Sequence, residues 1–181
     1  VGFTPAPGFV REPTPLMSDQ TLLTLWDDVR AKTLDILKGL DDLHARWAPP
    51  NLQNSCLWHA GHNYFVAEFL TSRTLHLTPN LPTGWQKMFS WESNPAHTHP
   101  EEWPPLAIVT TALSEQHRRL RDVYAALTPE QLDAADPGKT ERSTRRTLLI
   151  AMQDESRHTG EIMLLRKLMT RTFIVPGTSI G

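Results

Sequence analysis

The chain has one cysteine, no apolar run approaching the ~20 residues needed to span a bilayer, and no large excess of charge of either sign. Each shortage excludes something. Cys56 alone cannot build an internal disulfide framework, and a lone thiol fits a reducing compartment. Without a long apolar run, or a basic segment followed by a hydrophobic stretch near the N-terminus, neither membrane insertion nor export is expected. The protein is therefore read as cytoplasmic with no membrane partner, a reading qualified by a chain that opens on Val1 rather than Met, so that an initiator or longer leader is open. Eighteen Lys and Arg against twenty Asp and Glu leave a formal charge of −2, so there is no basic field to hold a phosphate backbone and nucleic acid is not an expected partner. Internal repeats, low-complexity tracts, glycine-rich phosphate loops and nucleophile-elbow patterns are missing too.

What is present is enough apolar material for one core: 39% hydrophobic residues in a chain of 181. Prolines at 5, 7, 13 and 15 remove backbone donors and favour extended backbone, so residues 1–17 are expected as an arm lying across the rest. Ser18 then offers a cap for a helix in which Leu22, Trp26, Val29, Thr33, Ile36, Leu37 and Leu40 share a face. After Asn51 or Asn54 as cap, a second helix places Trp58, His62, Phe65, Val66 and Phe69 on one stripe. From Ser72 to Pro105 the pattern dissolves into six prolines mixed with Trp85, Trp91 and Trp103, which reads as a packed crossover.

Pro105 suits the first turn of a third helix carrying Leu106, Val109, Leu113, His117, Leu120 and Tyr124 inward. Thr128-Pro129-Glu130-Gln131 reads as the capped start of a short helix, ended by Asp136-Pro137-Gly138. Ser143 caps the last and longest helix, whose inner face carries Thr147, Ile150, Ala151, Asp154, His158, Ile162, Leu165 and Met169. The expected fold is all-α: a four-helix bundle over residues 18–181 as a single domain, with a long second-to-third-helix crossover and an extended N-terminal arm.

Two polar residues break that last stripe. Asp154 and His158 are four apart, so their side chains leave neighbouring turns of one face and can converge on one point. A carboxylate aimed into an apolar bundle is costly unless paired, and a divalent cation between facing helices would supply the charge. A buried Asp–His hydrogen bond, or an ion pair with an Arg, is the structural alternative. On the second helix, Cys56, His59 and His62 cannot all face the core. His62, one turn from Trp58, Phe65 and Val66, is the better ligand, with His59 nearer the edge. Gly61 would let another backbone or a substrate approach closely.

His117 would be a partner of the metal ligands, an acid–base group, or a hydrogen-bonded core histidine. His97 and His99 fall in a loop poorly suited to a rigid site, and Cys56 reads as a small buried hydrophobe. Arg142, Arg145 and Arg146 read as a solvated run at the start of the last helix. Glu161, three residues after His158, can approach from the next turn as proton acceptor or hydrogen-bond partner.

Trp58-His59-Ala60-Gly61-His62 and Asp154-Glu155-Ser156-Arg157-His158-Thr159-Gly160-Glu161 together resemble the damage-inducible DinB-like (DinB/YfiT-type) family of four-helix metal-binding proteins, which includes metal-dependent thiol transferases. The first segment is similar to that family's Trp-x-x-Gly-His motif and the second to its His-x-x-x-His-x-Gly-Gln motif. The resemblance implies a metal site of His62, Asp154 and His158, with Asp154 standing where the family has histidine and Glu161 where it has glutamine. Two imidazoles and a carboxylate suit a divalent ion, with Zn, Ni, Fe and Mn all admissible.

The resemblance also implies a stress-response role, a homodimer, a small-molecule substrate, and transfer of a low-molecular-weight thiol held by the metal, with the crossover shaping the pocket; in hydrolysis by a metal-bound water, Glu161 or His117 would be the catalytic base. A metal-dependent hydrolase and a non-catalytic stress-response or interaction protein are the rival readings.

Overall fold

A computed structural model of the chain describes residues 19–173. The expected arm over 1–17 and the expected cap Ser18 lie outside the described residues. Four long helices carry the fold: α1 (Gln20–Leu37), α3 (Cys56–Leu75), α5 (Leu106–Ala125) and α7 (Thr144–Phe173). Short helices α2 (Asp42–Arg46), α4 (Trp85–Phe89) and α6 (Pro129–Asp133) fill the connections.

The helix starts follow from capping chemistry. The Asp19 and Ser55 side chains accept the backbone N–H groups of Leu22 and Trp58, so α3 is capped by Ser55 rather than by Asn51 or Asn54. Thr128 and Gln131 form a reciprocal capping box on α6 behind Pro129. Ser143 accepts the N–H of Arg146 at the start of α7. Asp136-Pro137-Gly138 does more than end α6: it turns a two-stranded hairpin, β1 (Ala135–Asp136) and β2 (Lys139–Ser143), held by Gly138 N–H donating to Asp136 Oδ1. Arg142 is not fully solvated there, because it and Arg73 pair with the buried carboxylate of Asp136.

Around the bundle the neighbours run α1, α5, α3, α7, and the α3–α7 seam is the most extensive. The apolar core has two parts. One gathers Leu57, Phe65, Phe89, Leu113 and Ile162; the other gathers Trp26, Leu120, Tyr124, Leu148 and Met152. Between them along the helices lies a buried polar layer. Arg30 of α1 binds Glu155 of α7 through two bonds of 2.8 and 3.0 Å and also reaches the Leu113 carbonyl and Gln116 of α5. Gln116 continues to Glu68 of α3, which Arg119 also pairs with.

The crossover is packed at two of its three tryptophans: Trp85 and Phe89 are buried and Trp103 leans on Phe89, whereas Trp91 lies over Phe65 and Phe69 with half its surface exposed. No helix among the described residues is long and apolar enough to cross a membrane.

Candidate metal centre

His62 enters the α3–α7 seam at 1% exposure, with the Trp58 ring stacked on it at 4.6 Å. Its Nδ1 sits 2.6 Å from the carbonyl oxygen of Phe89, so Nδ1–H donates there and the lone pair of Nε2 faces inward. Phe89 can come that close because residue 61 is glycine: a Cβ on Gly61 would lie 2.2 Å from a carbon of the Phe89 ring. Gly61 thus admits an aromatic side chain of the crossover, and that residue's carbonyl orients the histidine.

From α7, Asp154 and His158 project on successive turns. Asp154 Oδ2 lies 3.6 Å from His62 Nε2 and 3.5 Å from His158 Nε2. The oxygen is buried and has no hydrogen-bond partner. Separations near 3.5 Å exceed a hydrogen bond, yet they are what two atoms show when both bind a tetrahedral ion at about 2.1 Å. The donor set of two imidazole nitrogens and one carboxylate oxygen therefore fits a divalent cation, and the three ligand atoms lie within 4.8 Å of one another. Burial alone would raise the Asp154 carboxyl, but the neighbouring His62, His158 and Arg157 hold it below its ordinary value, so it is a carboxylate.

The back of His158 is fixed in the same manner as that of His62. Its Nδ1–H donates to Glu161 Oε2 at 2.5 Å, and His59 Nδ1 lies 2.9 Å from that nitrogen and 3.1 Å from the same oxygen. His59, His158 and Glu161 form a second cluster sharing His158 with the first. Burial, then the nearby His158 and His62, push His59 down to about 3, and burial also lowers His158, so both rings are neutral and available as donors of a lone pair near pH 7. Arg157 lies at the outer edge. Its Nη2 donates to Asp154 Oδ1 at 2.5 Å and lies 3.3 Å from His158 Nε2.

The structure brings together His62, Asp154, His158 and Glu161. It does not bring His117 to them. His117 is half-buried on the α1–α5 seam, where Nε2 meets Asp27 Oδ1 at 2.9 Å and the ring leans on Trp26. The physical reason is helical phase: Leu113, Gln116 and Leu120 take the inward positions and turn His117 to the edge. His97 and His99 are exposed in the crossover. Cys56 is buried, and burial pushes its thiol up to about 11, so it is not a ligand at neutral pH.

Sequence reasoning set His59 at the edge, whereas it is buried beside His158, and it passed over Arg157 and the Phe89 carbonyl. The three-residue step from Asp154 to Arg157 is a readable signal for the first contact. Nothing in sequence marks a backbone carbonyl 27 residues from His62 in a crossover.

Comparison with known proteins gives the family and the fold. The family model described as the DinB superfamily matches residues 25–162. Ergothioneine biosynthesis protein 1 of Neurospora crassa is 27% identical over 128 residues, which cover 65% of this chain and 14% of that protein. A solved structure of a conserved protein from Enterococcus faecalis superposes with a TM-score of 0.65 at 19% identity, covering 84% of this chain and 96% of the other, a likeness of fold.

Proposed function

The chain belongs to the DinB superfamily, and from that premise we propose that His62, Asp154 and His158 hold one divalent cation in an enzyme that transfers a low-molecular-weight thiol onto a small electrophile. The observation that supports the cation site is the orphaned Asp154 Oδ2, buried and facing two imidazole nitrogens at 3.5 and 3.6 Å, while thiol transfer is drawn from the resemblance to the family. A buried carboxylate oxygen without a partner costs on the order of several kcal/mol, which a cation between the three donors removes.

When bound, a divalent ion supplies a Lewis acid that lowers the pKa of a coordinated thiol or water toward neutrality. The chain's own groups prepare that chemistry. The Phe89 carbonyl and Glu161 hold the two imidazoles in the tautomers that present Nε2. Trp58, packed on His62, keeps water from that side of the ligands. Glu161, whose side chain is 44% exposed, accepts from His158 Nδ1–H and so strengthens the Nε2 lone pair as a donor.

Three protein ligands leave positions for a substrate, whereas a structural zinc site is closed by four. His59 is not among the three donors that meet at Asp154 Oδ2 and lies instead on the Nδ1 side of His158. The naming of the Neurospora relative for ergothioneine biosynthesis supports small-molecule metabolism over a purely structural role.

Elemental analysis of protein purified without metal-affinity resin tests the centre. About one divalent ion per chain is expected, lost in both His62→Ala and Asp154→Ala. Retention of the ion in both variants would sink the assignment. Thiol consumption with generic electrophiles then tests the reaction, and should vanish with the metal.

A further inference from the structure

Arg157 stands at the open lip of the cluster with its side chain 62% exposed. It divides the oxygens of Asp154: Oδ1 turns outward to the guanidinium, while Oδ2 turns inward to the imidazoles. Only one guanidinium nitrogen is engaged. Nη2 meets Asp154 and lies against His158, and Nε and Nη1 have no protein partner among the described residues. A guanidinium carries five N–H donors in a planar fork, so an edge is open to a second planar anion beside the three ligand atoms.

The charges at the lip call for such an anion. A divalent ion on two neutral imidazoles and one carboxylate keeps one positive charge, Arg157 adds another, and Glu161 removes one. A net positive lip next to an open coordination position is complemented by a negatively charged substrate, and the shape of the free guanidinium edge matches a carboxylate.

We propose that Arg157 anchors the substrate, and that the thiol this site takes carries a carboxylate a few bonds from its sulfur. The carboxylate would lie on the free edge of Arg157 with the sulfur directed to the ion. This rests on the metal-centre reading and names its substrate class.

The test compares two thiols of equal length, 3-mercaptopropionate and 3-mercaptopropan-1-ol, by isothermal titration calorimetry on the full chain, with metal content measured on the same preparations. One charge-assisted pair corresponds to a preference of about tenfold or more for the carboxylate. That preference should fall to about onefold in Arg157→Gln and to an intermediate value in Arg157→Lys, which keeps a cation beside Asp154 but lacks the planar fork. Equal affinity of the two thiols for the metal-loaded parent, or a preference that survives in Arg157→Gln, overturns the anchor and leaves the metal centre standing. Absence of metal from the parent overturns the centre and the anchor with it.

Discussion

At residue 61 the backbone has to be bare, and at residue 160 it does not. A Cβ on Gly61 would meet the Phe89 ring at 2.2 Å, whereas a Cβ on Gly160 has nothing within 4 Å. Gly61→Ala should therefore overpack the α3–α4 contact at a cost of about 1–3 kcal/mol. It should also weaken metal binding, since the Phe89 carbonyl that orients His62 moves with the ring. Gly160→Ala should stabilise the chain by roughly 0.5–1 kcal/mol, because glycine inside a helix carries an entropic penalty. Urea unfolding of the two variants, with a metal titration of each, checks both signs; a neutral Gly61→Ala would remove the link between Phe89 and the site. The residues of the candidate site were legible at this scale. Asp154 and His158 announce themselves because a four-residue step of polar side chains interrupts an apolar stripe, and His62 because it sits amid Trp58, Phe65 and Val66. The groups that hold them were less so: Arg157 and the buried His59 depend on rotamer choices, and Phe89 acts through its backbone.

Among elements, α7 has two neighbouring polar contacts of different kinds. Asp154 and His158 face α3 and its His62, while Glu155 faces α1, where Arg30 meets it at 0% exposure. The bidentate pair fixes the height of α1 against α7, and Thr33, which donates to Glu155 Oε1 at 2.7 Å and lies 2.7 Å from Thr159 Oγ1, adds to the same register. Removing one partner leaves the other charge buried without compensation, so Glu155→Ala should cost about 3–5 kcal/mol, and Arg30→Met with Glu155→Leu should recover a substantial part of it. Equilibrium urea unfolding followed by circular dichroism measures both; a double variant no more stable than the single one would mean that the pair stabilises by more than its own mutual compensation. The four long helices were readable from their apolar period, and the caps Thr128 and Ser143 from their side chains, whereas the five-residue helices α2 and α4 are too short to show a period and were not read. Glu155 was not, since its partner lies 125 residues away and nothing local distinguishes a buried glutamate from the solvated ones around it. The hairpin at Asp136 was missed for the same reason: Asp-Pro-Gly was read as a stop, and its second strand is made of polar residues without a strand-like period.

For the whole molecule, these contacts combine into a sequence of acid transitions. His59 is held neutral by burial, with a folded pKa of about 3 against an ordinary 6.5, and burial lowers His158 and His117 as well. Below 6.5 the unfolded chain takes up protons at these sites that the folded chain refuses, so stability falls as pH drops from about 6.5 toward 3 and is fully present above that window. Asp136 behaves in the other sense. Burial would raise it, but Thr147, the Gly138 N–H, Arg73 and Arg142 outweigh that and hold it at about 2 against 3.8, so its contribution is present above 3.8 and is lost as pH falls through 2. The metal-free protein should show a urea midpoint that is flat above about pH 7, declines below 6.5, and declines further below 3.8. His59→Gln should flatten the upper limb and leave the lower one in place. An upper limb unchanged in that variant would mean that the neutral His59 is not what resists acid. Loading the site should steepen the same upper limb, because protons and the cation compete for the imidazole nitrogens of His62 and His158. Metal release and loss of stability would then follow one titration, and adding a chelator should abolish the difference between the two curves.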